Sequence, residues 1–154
     1  MKKLMVLGAT FTQVPLIETA KRMGYHTIVA SILGDYPGLR CADEICDVDI
    51  SNPDAVLAKA KELNIDGIAT CCMDLPVRAL GKVCENMGLC GMSENAALLS
   101  NQKLLMKDAF VKGGVKSPAY RKVSTITDVE KTWAELPHPQ ILKAVDLQAS
   151  RGIY

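Results

Sequence analysis

Two lysines stand where lysine is unusual. Lys103 falls in the first turn of a helix expected from residue 101 onward, where a positive charge opposes the helix dipole. Lys143 lies inside the apolar run Gln140 to Val145, next to a polar loop from Asp146 to Gly152. A lysine in that setting suits phosphate oxygens as a point charge. The plainer reading is an edge strand protected by charge, and spacing alone does not separate the two.

A second group of residues gathers around Gly8-Ala9-Thr10-Phe11-Thr12-Gln13. An apolar run, a glycine turn and a helix start make a ready anion site, because unpaired N–H groups and the helix dipole point the same way. A dinucleotide fingerprint needs glycine at three places, and Thr10 and Gln13 occupy the second and third. Asp35 would be the ribose acid of such a site, but a turn start is the simpler role. No Gly-x4-Gly-Lys-Ser/Thr motif is present. Cys71-Cys72 and Asp74 follow another apolar run. A nucleophilic cysteine needs an oriented base, and His26 and His138 are the only histidines, both distant in sequence. Core thiols at a strand end are the plainer reading. Asp74 is well placed either to meet a polar ligand or to cap the helix starting near Pro76.

Composition bounds these options. The chain has 154 residues, 49% of them apolar, with a net charge of +1. That balance does not fit a nucleic-acid-binding surface, so no nucleic-acid partner is expected. Charge is nonetheless uneven. Residues 1–100 carry 9 basic and 12 acidic residues, whereas residues 101–154 carry 9 and 5. The second segment is the better place for an anionic ligand. The apolar run at Leu4–Ala9 is too short for a signal peptide, and no window is long enough for a membrane span, so no membrane partner is expected. Six cysteines without a Cys-x-x-Cys pair argue for reduced thiols and a cytoplasmic setting.

The elements that must position these residues follow from periodicity. Leu4–Ala9, Thr27–Leu33, Ile45–Ile50 and Gly67–Cys72 read as strands. Helices are expected from Val14 to Gly24, from Pro53 and from Pro76 to Gly88. Gly34–Gly38 reads as a loop. This alternation predicts an α/β fold with a parallel sheet covered by helices on both sides. Ligands of such sheets sit beyond the carboxyl ends of the strands, which points to the loops at Gly8–Thr12 and Cys72–Pro76. After residue 92 the rhythm changes. Ser93 and Asn101 are expected to cap two helices, the second ending at Gly113-Gly114. Ala119–Val123 reads as extended, Thr125-x-x-Asp128 as a capping box, and Gln140–Val145 as a last strand.

The stretches Asn101-Gln102-Lys103, Gly113-Gly114-Val115-x-Ser117-Pro118, Ile141 to Asp146 and Ala149-Ser150-Arg151-Gly152-Ile153 together resemble the opening of an ATP-grasp domain. Residues 1–92 are similar to the Rossmann-like pre-ATP-grasp domain that precedes it, leaving residues 93–154 as the beginning of an ATP-grasp domain, incomplete here. Carboxylate–amine ligases such as the glycinamide ribonucleotide enzymes and the carbamoyl phosphate synthase large chain carry this pattern. The resemblance implies ATP-phosphate contacts by Lys103 and Lys143. It implies a phosphate-covering loop from Gln148 through Ala149, Ser150 and Arg151 to Gly152. It also implies that Gly8, Ala9, Thr10 and Asp74 face a carboxylate substrate. Ala144 departs from the usual proline, and Gln148-Ala149 replaces glycines.

ATP, a small carboxylate and an amine are therefore the implied partners, with Mg²⁺ held by ligands downstream of the loop. The implied reaction passes through an acyl phosphate, and these residues alone are expected not to catalyse it. A sheet edge left bare by an incomplete domain would let copies associate as a homo-oligomer. Two further readings stay open: a stand-alone α/β module that binds an anion or a partner, and a degenerate dinucleotide-binding oxidoreductase.

Overall fold

In a computed structural model, residues 1–146 and 152–154 are described. The chain divides into two compact units, Met1–Leu98 and Leu99–Tyr154.

The first unit is built on a four-stranded sheet. Its strands are β1 (Lys3–Leu7), β2 (His26–Ser31), β3 (Glu44–Asp47) and β4 (Gly67–Ala69), in the order β3-β2-β1-β4. Every pairing is parallel. Parallel pairing obliges each connection to cross a sheet face, and helices cover both faces. Those helices are α1 (Val14–Arg22), α2 (Pro37–Cys41), α3 (Pro53–Leu63) and α4 (Val77–Met87). Side chains alternate across a strand, so β1 supplies both faces. Met5 and Leu7 pack with Ile28, Val56, Ala60, Val83 and Cys84. Val6 packs on the other face with Ala9, Ile17, Val29 and Leu39. Complete burial of Met5, Val6 and Leu7 explains why the run is apolar without alternation.

Helix ends follow local chemistry. Asn52 caps α3 through its side-chain oxygen, which accepts from the amides of Asp54 and Ala55. Asn64 and Gly88, both left-handed, close α3 and α4. Two expectations need correction here. Gly34–Gly38 is not wholly loop, since α2 begins at Pro37. The strands end earlier than the apolar runs do, because Gly8, Ile32 and Thr70 already belong to the turns.

Helix α5 (Glu94–Asn101) follows, with Ala97 buried, and leads into α6 (Lys103–Lys112) and α7 (Ile126–Glu135). Asn101 does not cap α6, because it is the last residue of α5. Gln102 takes that role, accepting from the amides of Leu104 and Leu105. The capping box of α7 is present in full, with Thr125 and Asp128 bonding reciprocally. Ala119–Val123 forms no strand. Among the described residues, the expected strand Gln140–Val145 shows one antiparallel bridge, Lys143 with Ile153. Around it Leu142 and Tyr154 exchange backbone bonds of 2.8 and 2.9 Å, and the Ala144 amide donates to the Gly152 carbonyl at 2.9 Å.

Candidate functional site

At the carboxyl end of the sheet, Gly8 turns the chain with φ +101°, a conformation that favours glycine. Its amide donates to the Ala30 carbonyl at 2.9 Å, which ties the turn to β2. The space above Gly8 is filled by the Gln13 side chain, which would lie 3.2 Å from a Cβ at that position. Gln13 is fully buried and every one of its polar atoms is used. Its Oε1 accepts from the Thr10 amide at 3.0 Å and from the Thr10 hydroxyl at 2.6 Å. Its Nε2 donates to the Cys71 carbonyl at 2.6 Å. A buried amide satisfied at both ends fixes what it joins. Gln13 therefore fastens the loop after β1 to the loop after β4. The Cys71 thiol adds a contact to the Thr12 carbonyl at 3.4 Å, and the Thr70 hydroxyl donates to the Leu7 carbonyl at 2.9 Å.

A third loop joins from β2. The Gly38 amide donates to the Ala9 carbonyl at 2.8 Å, and a Cβ on Gly38 would lie only 2.7 Å from that oxygen. Glycine is required there for close backbone approach. Gly8, Ala9 and Thr10 thus sit in one pinned turn. Asp74 is exposed in the β4 loop, three residues beyond Cys71, and its carbonyl accepts the Val77 amide at 3.1 Å. Sequence reasoning treated Gln13 only as a missing glycine. The signal was available: residues 13, 17 and 20 share one helix face, and Ile17 and Ala20 are its buried members. The Thr10 amide, one of those a pyrophosphate would need at this turn, is already donated to Gln13. Asp35 lies at an exposed bend and pairs with Arg40.

In the second unit, Lys103 opens α6 and Lys143 occupies the bridge with Ile153. The Lys103 amide donates to the Val145 carbonyl at 3.2 Å, and its ammonium lies 3.5 Å from the same oxygen. The start of α6 is thereby clipped two residues from Lys143. Lys143 is exposed and Lys103 half-buried. Gly152, at φ +64°, pairs back to Ala144. Gln148, Ala149, Ser150 and Arg151 lie outside the described residues. Around this clip, polar ties order the helices. Tyr120 bonds Asp108, and Lys107 reaches the Ser117 hydroxyl at 2.5 Å while lying 5.8 Å from the Tyr120 ring centre. Gln140 donates to the Trp133 and Leu136 carbonyls at 3.1 and 2.9 Å, covering the carboxyl end of α7.

Among the described residues, no group of three or more His, Cys, Asp or Glu side chains could hold a metal ion. These residues do not fit a Mg²⁺ site of their own. No helix among them is long and apolar enough to cross a membrane.

No protein-family model matches the chain. Alanine–anticapsin ligase of Bacillus subtilis is 38% identical over 80 residues, 52% of this chain and 17% of the relative. Phosphoribosylamine–glycine ligase of Fusobacterium nucleatum is 26% identical over 143 residues, covering 92% of this chain and 31% of the relative. The crystal structure of phosphoribosylglycinamide synthetase from Anaerococcus prevotii superposes with a TM-score of 0.79 at 40% identity, over 95% of this chain and 37% of that one. The chain spans well under half the length of these relatives. These relatives are ATP-grasp ligases, and over its length the chain, with the parallel sheet that opens its fold, is similar to the N-terminal portion of such enzymes.

Proposed function

We propose that the chain contributes the substrate-facing sheet and part of the ATP-phosphate grip of an ATP-dependent carboxylate–amine ligase. In the reaction proposed, a carboxylate oxygen attacks the γ-phosphorus of ATP and ADP leaves. The amine then attacks the acyl carbon and expels phosphate. Two anions must be brought together, so the demand on the protein is positive charge and oriented N–H groups.

Lys103 and Lys143 are the cations proposed to meet the ATP phosphates, with Gln148 to Gly152 as the cover over them. Gly8, Ala9, Thr10 and Asp74 are proposed to face the carboxylate. The observation that carries this reading is the pair of contacts from Lys103 to the Val145 carbonyl, which sets the start of α6 beside the segment bearing Lys143. The ligase names of the relatives and the positive balance of residues 101–154 support it. Mg²⁺ would neutralise phosphate charge when bound. Turnover on this reading needs what the relatives carry beyond the matched portion. Six free thiols support a reducing, cytoplasmic setting.

Calorimetric titration with ADP tests the reading. Charge-assisted contacts of this kind are worth about 1.5–3 kcal/mol, so Lys143→Ala and Lys103→Ala should each weaken ADP binding by about tenfold or more. Circular dichroism must show both variants folded. ADP affinity unchanged in both would contradict the proposal and favour an anion- or partner-binding module. NADH bound equally well by all three proteins would favour the oxidoreductase reading.

A further inference from the structure

Cys71 and Cys72 are adjacent at the end of the β4 segment, in the loop that Gln13 fastens. Cys72 is exposed and adopts φ +55°, a left-handed conformation rare for a residue with a side chain. Cys71 is half-buried, with its thiol on the Thr12 carbonyl and its own carbonyl held by Gln13. We propose that this vicinal pair is a dithiol modification site, closed to a disulfide by exchange with a small-molecule disulfide of the glutathione class. The other cysteines do not offer this geometry. Cys46 and Cys84 are buried, and the Cys84 thiol points to the Cys90 carbonyl at 3.9 Å.

The chemistry runs in two exchanges. The exposed Cys72 thiolate attacks one sulfur of the small disulfide, forming a mixed disulfide and releasing one thiol. The Cys71 thiol then gives its proton to solvent and attacks the Cys72 sulfur, expelling the second thiol. Two protein thiols are oxidised and one small disulfide is reduced to two thiols, a two-electron balance. The exposure of Cys72 gives it the first attack, and burial, and then the neighbouring Cys72 thiol, push the Cys71 thiol up.

Consecutive Cα atoms lie about 3.8 Å apart, below the roughly 4.4–6.8 Å of ordinary disulfides. The ring is therefore strained and easily reduced, as labile regulatory disulfides are. Drawing the two sulfurs together also turns the peptide between them. That peptide carries the carbonyl that Gln13 holds, and Gln13 in turn holds the Thr10 amide. Closure should release the Gly8 turn. This inference does not depend on the ligase reading.

The test is to equilibrate the unsubstituted chain with oxidised glutathione, then measure intact mass, peptide maps and amide exchange. The expected product has lost the mass of two hydrogens, with the bond mapped to Cys71–Cys72, and reverts in mild reductant. Its Thr10 amide should exchange at least about tenfold faster than in the reduced chain. Cys71→Ser should instead stop at a stable glutathione adduct on Cys72. A persistent adduct on Cys72 of the unsubstituted chain would overturn the proposal. So would a bond between other cysteines, or a closed ring with unchanged Thr10 exchange.

Discussion

Residues 1–98 and residues 99–154 draw on the same kinds of residue but place them differently. In the first unit, Met5, Val6, Leu7, Ile28 and Val29 lose all contact with water, and two clusters sandwich the sheet. In the second unit none of the described residues is buried. Ile126 is 79% exposed and Trp133 56% exposed, although α7 has a clear apolar stripe. What defines α6 and α7 is local: the Gln102 cap, the Thr125–Asp128 box and side-chain ties such as Lys107 to Ser117. Caps and ties set where a helix begins and ends, but packing supplies most of a helix's stability. The first unit therefore carries its own stability. The second leaves the apolar stripe of α7 exposed.

The largest expected effect is the contrast between two truncations. Leu7→Ala should destabilise the first unit by about 2–5 kcal/mol in urea unfolding, because it leaves a cavity in the core. Trp133→Ala should cost under about 1 kcal/mol, since its side chain is half in water already. Equal costs would erase the distinction between the units.

Gln13→Leu comes next. It leaves the Thr10 amide and the Cys71 carbonyl without their buried partner, an expected loss of about 1–3 kcal/mol by the same unfolding assay. A neutral result would mean the two loops are not held together by this side chain.

Asp43 sharpens the picture by its pH dependence. Lys21 at 2.7 Å, and then the Thr27 amide and hydroxyl, hold its carboxyl well below the usual carboxylate range. A depressed folded pKa contributes stability that is fully present above about pH 4, the unfolded value, and is lost as pH falls toward the folded one. Asp43→Asn should cost about 1–2 kcal/mol at neutral pH and flatten the acid limb of the stability curve. An unchanged acid limb would contradict this.

The smallest effect is expected at Thr125→Ala. It removes the cap of α7 and should raise amide exchange in Asp128 and Val129 by an amount worth ~1 kcal/mol, leaving the first unit's exchange untouched. A change in the β1 amides would show the units to be energetically linked.

These differences explain what could be read from sequence. The cores of runs such as Leu4–Ala9 and Thr27–Leu33, Met5–Leu7 and Ile28–Ala30, betray strands because burial on both faces demands continuous apolar residues. The Thr125 box was legible because capping is a local exchange of bonds. Helix α2 was not, because Gly34, Asp35 and Pro37 look like a turn and nothing local shows that Gly38 must let the Ala9 carbonyl pass. The Lys143 segment read as a full strand because its residues are apolar, yet among the described residues it makes a single bridge. Gln13 was hidden for a related reason. A buried amide gains its meaning from partners in two loops, one of them 58 residues away.

The division of labour between the units is tested most directly by nuclear magnetic resonance of the isotope-labelled chain during an ADP titration. Amide shifts at Lys103–Leu105 and at Lys143 to Gly152 should move with a common affinity, while Gly8–Gln13 stay still. Shifts confined to the Gly8 turn, with residues 103 and 143 unmoved, would contradict the account.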